Sequence, residues 1–170
     1  MAGDKDVKEE ESVLVEAYSD ADYAADKTDR KSVTGGVLMV SGMVVGWLCR
    51  KQKCVALSTM EAEFVAASHT MAEMLGIIEL LQDIGMAMQK QSIMRVDNQA
   101  AIAEIEGEDT SGRVKHSDVR YKFVKNLASK KVIKIQYCES KIMRADILTK
   151  VVPVPRLAEL REILMLTRLN

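Results

Sequence analysis

Residues 13–20 read Val13-Leu14-Val15-Glu16-Ala17-Tyr18-Ser19-Asp20, an apolar stretch with β-branched side chains that runs into an acid. This composition predicts a β-strand that ends at Asp20. Two further apolar stretches, residues 37–40 and 43–48, flank Ser41-Gly42, a two-residue connection typical of a tight hairpin. The sequence therefore predicts three consecutive strands in an antiparallel meander.

A long helix is predicted to follow, with Ser58 as its N-cap. Ser58 and Glu61 have the spacing of a capping box, and Gly85 lies where a helix reaching Asp83 ends. Steps of three or four residues from Glu63 give an apolar stripe, consisting of Ala67, Met71, Met74, Ile78 and Leu81. Glu61 lies about 200° around the helix from Glu63. Glu63 is therefore predicted to point inward and Glu61 outward.

The second half of the chain alternates predicted strands and helices. Residues 92–97 and 132–137 are expected to be strands, residues 98–106 and 115–130 helices, and a short helix is expected to begin near Arg144. A final helix over 155–168 is expected to dock through leucines, namely Leu157, Leu160 and Leu164. Together these elements predict an α/β fold, with a mixed five-stranded sheet flanked by helices.

The length of 170 residues favours one domain, and the hydrophobic content of 48% supplies its core. Residues 1–12 form a polar, acidic leader without a predicted element, so the folded domain is expected over 13–170. The three cysteines lack zinc spacing and a secretory context, which predicts reduced packing residues. No stretch is expected to span a membrane or to direct export.

Four acids occupy positions where a carboxylate is costly. Asp20 and Asp97 end apolar strands, Glu63 lies in an apolar helix stripe, and Asp146 precedes Ile147 and Leu148. A carboxylate turned toward a core needs cations or hydrogen-bond donors, and hard divalent cations such as Mg²⁺ choose oxygen ligands. The pattern predicts a two-metal site that hydrolyses a nucleic-acid phosphodiester. Each acid alone also fits a turn or a helix terminus.

The segment between Arg113 and Lys134 is strongly basic. It contains eight Lys or Arg residues and one acid, Asp118. A helix over 115–130 would direct its bases outward and an apolar face inward, comprising Val119, Phe123, Val124 and Leu127. The segment would suit a phosphate-binding surface, but charge alone favours the alternative of a solvated helix face.

Five short motifs resemble the ribonuclease H domain of Ty1/copia-type retrotransposon polyproteins. They are Tyr18-Ser19-Asp20-Ala21-Asp22 followed by Asp29-Arg30-Lys31-Ser32 and Thr34-Gly35, Ala56-Leu57-Ser58-Thr59 with Glu61-Ala62-Glu63-Phe64, Asp97-Asn98-Gln99-Ala100, Lys115-His116 with Asp118-Val119-Arg120-Tyr121, and Ala145-Asp146-Ile147-Leu148-Thr149-Lys150. They run in the order and spacing of that family and cover roughly residues 13–166.

The resemblance implies a ribonuclease H fold and cleavage of the RNA strand of RNA–DNA hybrids with two Mg²⁺ or Mn²⁺ ions. It places the catalytic and metal-binding acids at Asp20, Glu63, Asp97 and Asp146. It also implies a reverse transcriptase polymerase domain as a partner in the parent polyprotein, and a cytoplasmic virus-like particle as the location. Nucleic-acid contacts are expected from Asn98, Gln99, Lys115, His116, Arg120, Lys122 and Lys125. No histidine lies between Tyr137 and Asp146, where many cellular ribonucleases H have one that assists product release.

Two other functions stay open from the sequence. One is a co-opted domain that binds nucleic acid or a protein with little or no cleavage. The other is a different nuclease or a strand transferase of the same architecture, which the order Asp, Glu, Asp, Asp and the surrounding motifs disfavour.

Overall fold

The computed structural model of the chain describes residues 12–107 and 119–166, apart from the side chains of residues 119–121 and 129. The strands of these residues form one sheet, made of β1 (Val15–Asp22), β2 (Val33–Val40), β3 (Met43–Lys51), β4 (Ser92–Val96) and β5 (Ile133–Tyr137). The strand order is β3-β2-β1-β4-β5. β1, β2 and β3 pair antiparallel, whereas β1, β4 and β5 pair parallel. The predicted mixed five-stranded sheet is confirmed.

β2 and β3 are longer than their apolar patterns indicated, and β1 is displaced by two residues from its predicted bounds. β2 begins at Val33 rather than at Val37, because Gly35 and Gly36 pair with β1 although glycine has low strand propensity. β1 extends to Asp22, so Asp20 lies inside the strand and does not end it. The hairpin between β2 and β3 turns at Ser41 and Gly42, whose φ angles of 47° and 83° both lie in the left-handed region. That geometry suits a two-residue hairpin loop.

The described residues contain five α-helices, namely α1 (Thr59–Asp83), α2 (Gln99–Glu106), α3 (Val119–Ser129), α4 (Asp146–Thr149) and α5 (Val154–Ile163). Ser58 caps α1, since its hydroxyl accepts a hydrogen bond from the Glu61 amide at 3.1 Å. Glu61 in turn accepts from the Leu57 amide at 2.7 Å, one residue before the position expected in a capping box. α4 starts two residues after the predicted Arg144, and α5 is shorter than the predicted 155–168.

The largest cluster of buried apolar side chains lies between α1 and the sheet. Ala67, Met71 and Met74 are fully buried there, which confirms the predicted stripe. By length and mean hydropathy, 1.4 over an 18-residue window, α1 would pass as a membrane-spanning helix, contrary to the sequence expectation. Its buried face identifies it instead as the central core helix of the domain.

A smaller apolar cluster covers the opposite face of the sheet. It includes Tyr18, Val37 and Met39 from the strands together with Leu164, which follows α5. Leu160 is fully buried, but Leu157 is 37% exposed, so the expectation that Leu157 docks the helix is wrong. The apolar stripe of α5 is narrower than the three leucines suggested.

The expectation for the cysteines is only partly correct. Cys138 is buried, whereas Cys49 and Cys54 are exposed, and none of the three forms a disulfide. Cys49 lies in β3, a strand at the edge of the sheet, and Cys54 lies in the loop that follows β3. Both positions are exposed to solvent.

Candidate metal centre

Three of the predicted acids come together at one edge of the sheet. β1 and β4 are parallel neighbours, so their carboxyl ends meet at the same edge, where Asp20 lies inside β1 and Asp97 directly follows β4. The first turns of α1 bring Glu63 to the same edge. One carboxylate oxygen from each of Asp20, Glu63 and Asp97 lies within 4.8 Å of the other two. These distances suit a shared cation and strongly disfavour three uncompensated charges.

Burial makes ionisation of the Glu63 carboxyl group unfavourable. It is only 3% exposed, and it accepts a hydrogen bond from the Ala21 amide. Its Oε2 is buried and has no hydrogen-bond partner in the described part of the chain. Burial, followed by the charges of Asp20 and Asp97, raises the pKa of Glu63 to about 8. A cation within reach of Oε2 would supply the missing partner.

Asp97 is half-buried, whereas Asp20 and Glu63 are buried, so Asp97 is the acid of the cluster that contacts solvent most. Burial raises its pKa, and the nearby charge of Asp20 raises it further. The Ser140 hydroxyl donates a hydrogen bond of 3.4 Å to Asp97 Oδ2, and this bond acts to lower the pKa of Asp97.

Asp146 lies beside this group, joined to it by a lysine. Asp146 is the first residue of α4 and is 7% exposed. Lys150 Nζ donates to Asp146 Oδ1 at 2.7 Å and to Asp20 Oδ1 at 2.9 Å. On the other side of Asp146, Arg156 Nη2 lies 3.6 Å from Oδ2. The charge of Asp146 also contributes to the raised pKa of Asp97, so all four acids share one electrostatic environment.

The end of α4 contacts Asp20 directly. The Thr149 hydroxyl donates to Asp20 Oδ2 while Lys150 holds Oδ1, so both oxygens of Asp20 have partners. Burial alone would lower the pKa of Lys150, but its hydrogen bond to Asp146 and the charge of Asp20 outweigh burial and raise it. Neither Thr149 nor Lys150 was among the predicted site residues. Their position at the end of the fifth motif was the available signal.

Gln52 connects two of the elements that surround the site. It is 2% exposed, and its amide nitrogen donates to Thr34 Oγ1 at 3.1 Å and to the Ala62 carbonyl at 3.0 Å. These bonds join β2 to the start of α1, one residue before Glu63. No local sequence pattern pointed to Gln52, because its partners lie on two other elements.

The predicted nucleic-acid contacts are spread over several elements. The Asn98 side chain caps α2 by accepting from the Ala101 amide at 2.9 Å, and Gln99 beside it is exposed. On α3, Lys122 is exposed and Lys125 is half-buried. Lys115, His116 and the side chain of Arg120 lie outside the described residues. Val124, Phe123 and Leu127 face the core, as the amphipathic pattern predicted.

The donor set fits hard divalent cations. Asp20, Glu63 and Asp97 converge as oxygen ligands, with Asp146 joined to them through Lys150. Mg²⁺ and Mn²⁺ prefer such oxygen ligands, whereas a zinc site would be expected to include histidine or cysteine. The buried, unpartnered Glu63 Oε2 is the observation that points to a cation in this space.

Comparison with known proteins gives a sequence relative and a shared fold. The chain is 39% identical over 140 residues to the retrovirus-related Pol polyprotein from transposon TNT 1-94 of Nicotiana tabacum. This match covers 82% of the chain and 10% of the relative, so the chain spans about a tenth of that polyprotein. No protein-family model matches the chain.

Two solved structures with the same fold are ribonuclease H proteins. The N-terminal RNase H domain of rv2228c from Mycobacterium tuberculosis aligns with a TM-score of 0.55 and 17% identity, over 81% of the chain and 91% of that structure. LC11-RNase H1, solved in complex with an RNA/DNA hybrid, aligns with a TM-score of 0.56 and 14% identity, over 79% of the chain and 93% of that structure. At these identities the likeness establishes the fold.

Proposed function

Because this chain is a ribonuclease H-fold domain of the Ty1/copia-type retrotransposon Pol polyprotein family, we propose that it hydrolyses the RNA strand of RNA–DNA hybrids. The proposed site holds two divalent cations, Mg²⁺ or Mn²⁺, through Asp20, Glu63, Asp97 and Asp146. The observation that carries the proposal is the approach of one oxygen from each of three carboxylates to within 4.8 Å of one another, together with the buried, unpartnered Oε2 of Glu63.

The acids have separate tasks in this proposal. Asp20 lies centrally, since it is close to Glu63 and Asp97 and shares Lys150 with Asp146. Glu63 would supply a buried ligand oxygen, and Asp97, which is half-buried, would lie on the side from which a phosphate enters. Divalent cations held by these acids would supply positive charge that promotes deprotonation of the attacking water and stabilises the leaving 3′ oxygen. No side chain needs to act as a nucleophile.

Substrate selection is proposed to depend on backbone contacts. Contacts to the 2′-hydroxyl and the groove shape of the hybrid distinguish RNA from DNA, since bases are not read. Lys122 of α3 is exposed, and we expect it to bind backbone phosphate together with the other basic residues predicted from the sequence. In the parent polyprotein, a reverse transcriptase polymerase domain is the proposed partner and a cytoplasmic virus-like particle the proposed location.

A cleavage assay tests the proposal directly. The chain is incubated with Mg²⁺ or Mn²⁺ and an end-labelled RNA–DNA hybrid, duplex DNA or duplex RNA. We expect cleavage of the RNA strand of the hybrid alone, lost in Asp97→Asn. Asp83→Asn is the matched control, because Asp83 is an exposed acid at the far end of α1. No cleavage, or equal cleavage by Asp97→Asn, contradicts the proposal. Salt-sensitive hybrid binding without cleavage would instead support a co-opted binding domain.

A further inference from the structure

Lys150 has a position that the proposed chemistry does not use. Its ammonium group lies between Asp20 Oδ1 and Asp146 Oδ1, at 2.9 and 2.7 Å. These are charge-assisted hydrogen bonds at short range. In the described residues, no other cationic side chain forms an ion pair with Asp20, whereas Asp146 also has Arg156.

The backbone of Lys150 is held by a hydrogen bond, whereas its side chain can move into solvent. The Lys150 amide donates to the Asp146 carbonyl at 3.1 Å and closes α4, and the preceding Thr149 is tied to Asp20. The side chain is nevertheless 38% exposed. The ammonium group can therefore rotate into solvent without unfolding the helix.

The two acids that Lys150 bridges are also proposed metal ligands. Direct coordination of Mg²⁺ by an oxygen brings the ion within about 2.1 Å, and it fills space around that oxygen. A divalent ion and an ammonium group on the same two oxygens would repel each other strongly. Occupation of these oxygens by one cation therefore excludes the other.

We propose that Lys150 is a displaceable internal counter-ion, which neutralises Asp20 and Asp146 in the metal-free domain and is expelled when a divalent cation binds them. This inference rests on the metal site of the proposed function. Lys150 is thus a positioning residue with two opposing effects. It stabilises the metal-free domain by holding α4 against Asp20, and it weakens metal binding because its ion pairs must first break.

Calorimetry and thermal unfolding of Lys150→Met test this inference without a substrate. We expect Lys150→Met to bind Mg²⁺ about two- to fivefold more tightly than the wild type, the effect of losing a modest competing ion pair. In EDTA, its Tm should lie below that of the wild type. At saturating Mg²⁺ this gap should shrink, because tighter binding adds more stability to the variant. If Lys150 had only a packing role, the difference in Tm between the two proteins would be the same with and without Mg²⁺.

Three further variants serve as controls. Lys150→Arg keeps the charge and should bind Mg²⁺ like the wild type. Lys90→Met removes a positive charge just before the amino-terminal end of β4, whereas the acids lie at the carboxyl ends of the strands. It should change neither the Mg²⁺ affinity nor the Tm difference. Lys150→Gln provides the same comparison if Lys150→Met does not fold.

The outcomes separate this inference from the proposed function. A wild-type domain that binds Mg²⁺ while Lys150→Met and Lys150→Gln bind it equally or more weakly overturns the counter-ion role alone. A wild-type domain that binds no Mg²⁺ overturns the metal site and this inference together.

Discussion

Gly35 lies directly opposite Asp20 in the β1–β2 pair, and a Cβ added at Gly35 would come within 2.5 Å of Thr149 Cγ2. The same Cβ would lie 3.1 Å from the Ala145 carbonyl oxygen. The missing side chain at Gly35 therefore lets α4 approach the sheet closely enough for Thr149 and Lys150 to reach Asp20. The geometry of the metal centre depends on this contact between a strand and a four-residue helix.

Gly35→Ala should push α4 away from Asp20. We expect a loss of stability of about 1–3 kcal/mol, typical of overpacking, together with reduced Mg²⁺ affinity and cleavage. Adding Thr149→Ser removes the clashing methyl group and keeps the hydroxyl, so the double variant should recover part of both losses. Gly46→Ala is the control, because its Cβ meets Leu38 Cδ1 at an ordinary 3.4 Å. Urea unfolding and metal titration measure the effects, and a double variant no better than Gly35→Ala would refute this account of the contact.

Glu63→Gln and Glu61→Gln distinguish the two neighbouring acids. The Glu63 amide keeps the shape but cannot neutralise a cation, so cleavage should fall about a hundredfold or more, at least the cost of losing a metal-site partner. Glu61→Gln should remain within about twofold of the wild type, since an amide oxygen can still accept from the Leu57 amide. Initial cleavage rates on the labelled hybrid measure both effects. A larger loss in Glu61→Gln would show that the wrong glutamate was assigned.

The stability of the metal-free domain should fall as pH rises. Glu63 has a pKa of about 8 in the folded chain against an ordinary value of 4.5, so between these limits the folded state binds more protons than the unfolded state. Linkage then requires stability from this group to be highest below about pH 4.5 and to decline up to about pH 8, by at most about 1.4 kcal/mol per pH unit.

Urea unfolding in EDTA between pH 5 and pH 8 measures that decline, with Glu63→Gln as the reference. The other titrating groups are common to both proteins, so the difference between their slopes isolates Glu63. Parallel curves for the two proteins would mean that Glu63 is not the costly acid that its burial indicates.

The inward direction of Glu63 could be predicted from the sequence because helix periodicity gives each residue a definite direction. Residues 67, 71 and 74 are apolar and share a face with Glu63, and that face meets the sheet. Asp97 was placed correctly because an apolar run stops just before it. For Asp20 the same logic put the strand end two residues too early, since pairing with β2 and not hydropathy determines where β1 stops.

The roles of Thr149, Lys150 and Gln52 could not be predicted in this way. Lys150 meets Asp20 across 130 residues of chain, and Gln52 bonds to partners on β2 and α1. Such contacts depend on how separate elements pack. Hydropathy patterns and capping signals describe single elements and carry no information on those distances.

Hybrid binding should depend on the exposed lysine of α3. Lys122→Ala should weaken binding and reduce the slope of log affinity against log salt concentration by about 0.9, the loss of one phosphate contact. Fluorescence anisotropy in EDTA measures binding without cleavage, and Lys90→Ala, at an exposed lysine before β4, is the control. An unchanged salt slope in Lys122→Ala would assign this lysine to a solvated helix face.

Crystals of the domain soaked in MnCl₂ provide the most direct measurement, since the anomalous scattering of manganese locates each ion. We expect two ions at the carboxyl ends of β1 and β4, bound by Asp20, Glu63, Asp97 and Asp146, with the Lys150 ammonium group displaced from Asp20. Ions bound only elsewhere, or a cluster that stays empty at saturating Mn²⁺, would contradict the metal centre.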